Sequence, residues 1–399
     1  MTDLLKPRDG KDVEAAVQWA HAENKTFEVL GHGSKRGIGR AAQWDLSLDL
    51  SSLAGVTLYE PEELVLSAKA GTPLAEIEVL LAQNNQELAF EPADYGAIFG
   101  KALGRGTIGG VLATNLSGPR RIKAGAARDH FLGFTAVSGR GETFKSGGRV
   151  VKNVTGYDLC KVLAGSYGTL AVMTDVTVKV LPRADTEATV LVLGLDDATA
   201  AKAMSIAMGS ANDVSGAAHF PAPLAASIQA EAGTSVTALR LEGVAPSVVH
   251  RRKALEVALK SFGEIAELEE PASRALWKSV RDVAPFAADG RVLWRISTTP
   301  MLGHAVTAAI GQGEFYYDWA GGLIWLALPD SPDAGADIVR RALAATGGHA
   351  TLIRAPAAIR AAVPVFEPQD AGVAALTKRI KDSFDPKGVL GPGRMWAGV

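Results

Sequence analysis

The sequence predicts an α+β chain of two principal domains, and three observations carry that expectation. Stretches with the period of a strand alternate with amphipathic helical stretches along the whole chain. The first part is dense in glycine, and its last strand, GTLAVMTDVTVKVLP, stops at Pro182, where the rhythm changes. At ~150 residues per domain, 399 residues leave room for two or three units.

In chain order, DGKDVEAAVQWAHAENK puts Val13, Ala16, Val17 and Ala20 on one helical face, and TFEVL follows as a short strand. The strand runs into VLGHGSKRGIGR, which has four glycines among residues 31–39. In QWDLSLDL, Trp44, Leu46, Leu48 and Leu50 then alternate with polar residues, so the glycine loop joins two strands. ELVLSAKAG reads as another strand; Thr72 is the expected helix cap, with Pro73 at the first helical position and Leu74, Ile77 and Leu81 as the buried stripe. Glycines recur through residues 96–133, which implies tight turns or close approach of backbone to something bulky and flat. FTAVSGRGETFKSG reads as a hairpin turning at residues 139–141, and Val172, Thr174, Val176, Val178 and Val180 share one face of the strand that follows. Beyond Pro182, strands TVLVLG, VTALRLEG, RVLWRIST, GLIWLAL and ATLIRAP alternate with helical stretches near 197–208, 246–262, 302–310 and 333–345, the rhythm of a ferredoxin-like α+β domain.

Composition excludes several functions. With 47% hydrophobic and 21% charged residues the chain reads as a soluble globular protein. A formal net charge of -2 argues against a nucleic-acid surface. One cysteine, Cys160, cannot form an internal disulfide, a Cys-based zinc site or a cysteine-ligated iron-sulfur cluster, and suits a reducing compartment. No apolar run reaches the roughly 18 residues of a membrane span, and the N-terminus has no secretory core, so a cytoplasmic location is expected.

Four readings compete for GHGSKRGIG. A dinucleotide fingerprint must open a helix, but the residues after Gly39 alternate as a strand. A nucleotide triphosphate loop needs Gly-Lys-Ser/Thr, whereas the order here is Gly-Ser-Lys. A strand-to-strand turn whose backbone N–H groups converge on a pyrophosphate fits the flanking pattern, and a surface loop that binds nothing stays open. The second cluster, GTIGGVLATNLSG, adds small residues that let backbone lie along a planar ring, with Thr107, Thr114, Asn115 and Ser117 for its polar edge. A flavin has both such a ring and a pyrophosphate.

These motifs also carry a family resemblance. VLGHGSKRG, GTIGGVLATNLSGPRRIKAGAARD, VKNVTGYDL, GSYGTLAVMTDVTVKVLP and the terminal FDPKGVLGPGRM, in that order, resemble the vanillyl-alcohol-oxidase and p-cresol-methylhydroxylase (PCMH) type of FAD-binding family. LWRIS, YYDWAGG and GGHATLIRAP extend the likeness along the chain to the FAD-binding E subunits of glycolate oxidase. The resemblance implies a two-subdomain PCMH-type FAD-binding domain over 1–182, an α+β cap domain over 183–365 and a C-terminal segment, 366–399, returning to the first domain. It implies a cofactor turn of Gly31, His32, Gly33, Ser34 and Lys35, a flavin-side run of Thr107, Gly109, Gly110, Thr114, Asn115 and Gly118, and further contacts from Gly168, Thr169, Val172, Tyr157 and Arg394. It also implies a complex that oxidises glycolate to glyoxylate, with a catalytic FAD-binding D subunit and an iron-sulfur F subunit, located in the cytoplasm or peripherally at the inner membrane.

Two departures qualify this. Where covalent relatives place their histidine, this sequence has Ser34, so non-covalent FAD is expected. The histidine-rich HxxxHGDGN-like motif of the D subunit does not occur, and His219, His250, His304 and His349 lack ligand spacing, so no metal is expected. If a 2-hydroxy acid binds this chain, its carboxylate needs a guanidinium fork; Arg295 is the candidate, with Arg120 and Arg121 behind it. A structural subunit without substrate chemistry, and a stand-alone FAD-dependent oxidase of another 2-hydroxy acid, are the alternatives.

Overall fold

A computed structural model describes residues 3–149, 156–228, 233–287 and 289–399. The stretch VKNVT, 151–155, lies outside the described residues. The chain divides into two units: Met1–Leu116, Gly125–Pro182 and Pro368–Val399 form the first, Ser117–Ala124 and Arg183–Glu367 the second. The short stretch Ser117–Ala124, placed by sequence in the first domain, thus belongs to the second unit.

In the first unit, β1 (Asp3–Leu5), β2 (Phe27–Leu30) and β3 (Leu46–Asp49) form a parallel sheet in the order β1-β3-β2. The helix Gly10–Glu23 starts at Asp9, whose carboxylate accepts from the amides of Lys11 and Asp12, and stops at Asn24 in the left-handed region. Its buried stripe, Val13, Val17 and Ala20, packs on Phe27, Leu48, Val137 and Val172. A second sheet, antiparallel, runs β4 (Val56–Glu60), β5 (Val65–Lys69), β9 (Ala171–Lys179), β7 (Phe131–Ser138), β8 (Thr143–Gly147). The two-residue strands β6 (Gln86–Glu87) and β10 (Leu181–Pro182) pair beside it.

The hairpin turns where the sequence places it, Gly141 N–H donating to Ser138 O at 2.9 Å. Thr72 is not a helix cap. The helix Leu74–Ala82 begins after Pro73 without a side-chain cap, because the Thr72 hydroxyl is spent on Lys69 O at 2.6 Å. The terminal segment is tied to β2, the strand that leads into the glycine loop: Phe27 N–H donates to Val389 O and Gly391 N–H to Phe27 O. Buried Lys381 holds Asp385 (2.6 Å), Thr169 O and Leu390 O together.

The second unit is built on one antiparallel sheet: β11 (Thr186–Leu193), β12 (Gly216–Phe220), β13 (Val236–Gly243), β14 (Glu264–Glu269), β15 (Val292–Ser297), β16 (Glu314–Asp318), β17 (Leu323–Leu328) and β18 (His349–Arg354). The order, β14-β11-β13-β12-β16-β17-β15-β18, resolves into two successive βαββαβ modules of ferredoxin-like order, joined edge to edge through β12 and β16. The sequence reading missed β12, β14 and β16 and the helix Ala272–Arg281. GAAHF, fully buried, lacks the alternation that marks a strand, and EIAELE is an acidic, largely exposed edge.

Candidate functional site

Residues 31–45 cross between two adjacent parallel strands, and the start of that crossover forms one wall of a cleft within the first unit. Gly33 turns the chain through φ +71°. Among the described residues, the amides of His32, Gly33, Ser34 and Lys35 donate to no other group of the chain. Four successive amides beside a left-handed glycine form an anion-binding concavity, and unsatisfied amides there want an acceptor.

The facing wall is the helix Ile108–Thr114, capped by Thr107 Oγ1 accepting from Gly110 N–H at 3.2 Å. The glycines are needed for contact. A Cβ on Gly31 would lie 2.8 Å from Thr107 Oγ1, and one on Gly109 would lie 2.7 Å from Ala70 O. Gly109 N–H bonds that same carbonyl at 2.9 Å, which pins the helix to the strand end. Leu50, Ala70, Ala113, Ala171 and Met173 give the lining its apolar part, and Tyr167, Gly168, Glu28, Arg36 and Arg394 also line it.

Lys35 gives the cleft its charge. Its nearest partner is Ser34 Oγ at 3.4 Å, and no carboxylate among the described residues reaches its ammonium. Burial pushes it down to about 8, with Asp94 opposing. A charge desolvated without a partner is costly and is relieved by an entering anion. Arg36, in contrast, is paired with buried Glu28 at 2.5 Å. Burial, with Arg105 next, holds His32 below its ordinary range, so it is neutral at pH 7.

Of the residues singled out from sequence, Gly31, His32, Gly33, Ser34, Lys35, Thr107, Gly109, Gly110, Thr114, Gly168 and Arg394 line this cleft. Five do not. Asn115 caps the helix end at φ +52° and its side chain accepts from Arg128 N–H. Gly118 lies in the second unit, its carbonyl accepting from the Trp319 indole. Thr169 turns its hydroxyl to Ser166 O, and Tyr157 is 89% exposed. Val172 packs on the helix Gly10–Glu23, so its neighbours Ala171 and Met173, on the opposite face of β9, meet the cleft instead. Strand parity was the available signal for those two. Arg295 lies on β15, in the second unit. Among the described residues no group of three or more His, Cys, Asp and Glu could hold a metal ion, and no helix is long and apolar enough to cross a membrane.

An anion-binding turn facing small residues and an apolar floor fits a dinucleotide with a planar ring. An FAD binding domain family matches residues 3–147. The glycolate oxidase subunit GlcE of Escherichia coli (strain K12) is 33% identical over 388 residues, 96% of this chain and 95% of that protein. The chain belongs to this family of FAD-linked oxidoreductases. Other relatives share a part: a glycolate oxidase subunit GlcD of Bacillus subtilis (strain 168) is 31% identical over 136 residues, 34% of this chain and 28% of that one. Among solved structures, p-cresol methylhydroxylase with substrate bound superposes with TM-score 0.71 at 13% identity, covering 98% of this chain and 88% of that one. An alkyldihydroxyacetonephosphate synthase gives 0.70 at 17%, covering 98% and 75%. These likenesses establish the PCMH-type fold, and FAD is the cofactor of the family's first domain.

Proposed function

We propose that this chain is the FAD-binding subunit of a glycolate oxidase complex, acting beside a catalytic FAD-binding D subunit and an iron-sulfur F subunit. The observation that carries the reading is near end-to-end similarity to GlcE, 96% and 95% of the two lengths, together with a cleft built for a dinucleotide. The complex removes two electrons and two protons from glycolate to give glyoxylate. Bound FAD supplies two-electron redox capacity.

The chain's own residues do the holding. The amides of His32 to Lys35 and the Lys35 ammonium would hold the diphosphate, and Thr107, Gly109, Gly110, Thr114, Gly168 and Arg394, which line the same cleft, would hold the rest of the cofactor. Ala70, Ala171 and Met173 keep water off the floor. His32 serves through its backbone, so FAD is held non-covalently, and acid precipitation releases it to the supernatant.

The test is co-expression of this chain with the D and F subunits, measuring flavin content and glycolate-dependent reduction of a quinone analogue. A stable assembly whose glycolate turnover disappears when this chain is omitted is expected. Assembly and full turnover without it would refute the reading, and so would a folded chain that takes up no FAD.

A further inference from the structure

The cleft of the first unit is built for an anion, yet it holds a carboxylate. Glu28, on β2, is 2% exposed, and it is the one acidic side chain among the described residues that line the cleft. It stands on the strand that feeds the run of open amides, His32 to Lys35. A negative charge buried beside a diphosphate site works against binding, because the low dielectric that strengthens attraction strengthens repulsion as well.

The residue that follows that run, Arg36, meets the acid. Its Nε donates to Glu28 Oε1 at 2.9 Å and its Nη2 lies 2.5 Å from Oε2, a two-point fork. The Arg36 amide donates to Gly33 O at 3.2 Å and Ile38 N–H to Lys35 O at 3.0 Å, so the chain turns back and brings the guanidinium to β2. Ser47, opposite Glu28 in the pairing of β2 with β3, adds its hydroxyl at 3.4 Å from Oε2. Arg394 Nη1 lies 3.9 Å from Oε1, beyond hydrogen-bond distance, so Arg36 supplies the hydrogen-bonded positive charge.

An arginine at this place spends its fork either on the diphosphate or on the acid. The geometry favours the acid: Nε and Nη2, the edge that matches two oxygens of an anion, are turned to Glu28. The Arg36 side chain is 55% exposed while its partner is buried, so the guanidinium covers the acid from the solvent side.

We propose that Arg36 makes the cleft competent for a diphosphate by masking the charge of Glu28, and that it does not itself bind the diphosphate. The inference rests on the FAD reading of the cleft. Removing one member of a buried ion pair strands the other charge, whereas replacing both by neutral groups strands none. Masking therefore has a signature that direct contact lacks: the loss caused by removing the arginine is reversed by removing the acid as well.

The full-length chain, freed of cofactor, is titrated with FAD by flavin fluorescence and with inorganic pyrophosphate by calorimetry, at constant ionic strength. Arg36→Gln is expected to weaken both by about tenfold or more, since Glu28 is then unmasked. Adding Glu28→Gln restores affinity to within about threefold of the parent. Arg36→Lys, which keeps the charge and loses the fork, also stays within about threefold.

A double variant as weak as Arg36→Gln overturns the proposal, because an arginine that binds the diphosphate is not replaced by deleting the acid. Parent affinity in Arg36→Gln overturns it too. Folding is checked by circular dichroism. If Arg36→Gln does not fold, the double variant, which strands no charge, decides alone: a loss of about tenfold refutes masking and near-parent affinity supports it. A chain that binds pyrophosphate with this ranking but takes up no FAD refutes the cofactor reading alone, whereas FAD uptake with an unrescued double variant refutes masking alone.

Discussion

His219 and Tyr317 are the bridging pair between the two βαββαβ modules, and both side chains bind one carboxylate, Asp197. His219 Nε2 lies 3.2 Å from Asp197 Oδ1, and the Tyr317 hydroxyl donates to Oδ2 at 2.9 Å. Thr237 and Thr307 complete the partners, at 2.9 and 2.6 Å. The hydrogen-bonded cluster replaces a long ladder as the link between β12 and β16.

Removing the shared acceptor is therefore costly. Asp197→Ala leaves two polar groups short of a partner and is expected to destabilise the chain by about 1–3 kcal/mol. Tyr317→Phe, which leaves Asp197 with His219, costs about 1 kcal/mol. Urea unfolding measures both, with flavin content unchanged; a midpoint like the parent's in Asp197→Ala would show that the seam does not depend on this carboxylate.

Lys35 makes cofactor binding pH-dependent. Its ammonium in the cofactor-free chain sits near 8 against an ordinary value of 10.5, because burial favours the neutral amine. A diphosphate binds the protonated form, so FAD affinity is expected to fall as pH rises through about 8. Lys35→Met weakens FAD by roughly ten- to hundredfold at pH 7 and flattens the profile. The stability of the cofactor-free chain has the opposite slope. Between about 8 and 10.5 the unfolded chain binds the proton that the folded chain has lost, so stability rises with pH across that window. Fluorescence titration of FAD at several pH values decides it, and equal affinity of parent and Lys35→Met at pH 7 would remove Lys35 from the site.

The two glycine contacts differ in what they meet. Gly109→Ala drives a methyl into the Ala70 carbonyl and Cβ, at 2.7 and 2.8 Å, where backbone cannot yield. Gly31→Ala meets the Thr107 side chain, which can turn. Gly109→Ala is expected to cost about 1–3 kcal/mol and to abolish flavin retention; Gly31→Ala weakens retention less. Flavin-to-protein ratios after gel filtration provide the measurement, and the reverse ranking would contradict the packing argument.

Cys160 is buried, and burial, with Asp158 next, pushes its thiol up to about 12. The thiolate is the reactive form, so the folded chain is expected to resist thiol reagents at pH 8 and to react fully in denaturant. Rapid stoichiometric labelling of the native chain would contradict the burial.

Much of the first unit was legible because its signals are local. The helix 10–23, the strands flanking the glycine loop, the 139–141 turn and most of the cleft lining follow from periodicity and from glycine's freedom at φ +71° in Gly33. Where local signals were ambiguous, partners decided. Thr72 has the chemistry of a cap, yet Lys69 O takes its hydroxyl.

The sequence by itself determined the α+β class, the strand-loop-strand setting of VLGHGSKRGIGR and the placement of a lysine among backbone donors. Only the tertiary structure decided which face of β9 meets the cleft, and that Asn115 caps a helix. It alone brought the Arg36 guanidinium onto buried Glu28. Periodicity reports which residues share a face. It carries no information on what that face meets, because contacts between residues far apart in the chain are set by packing.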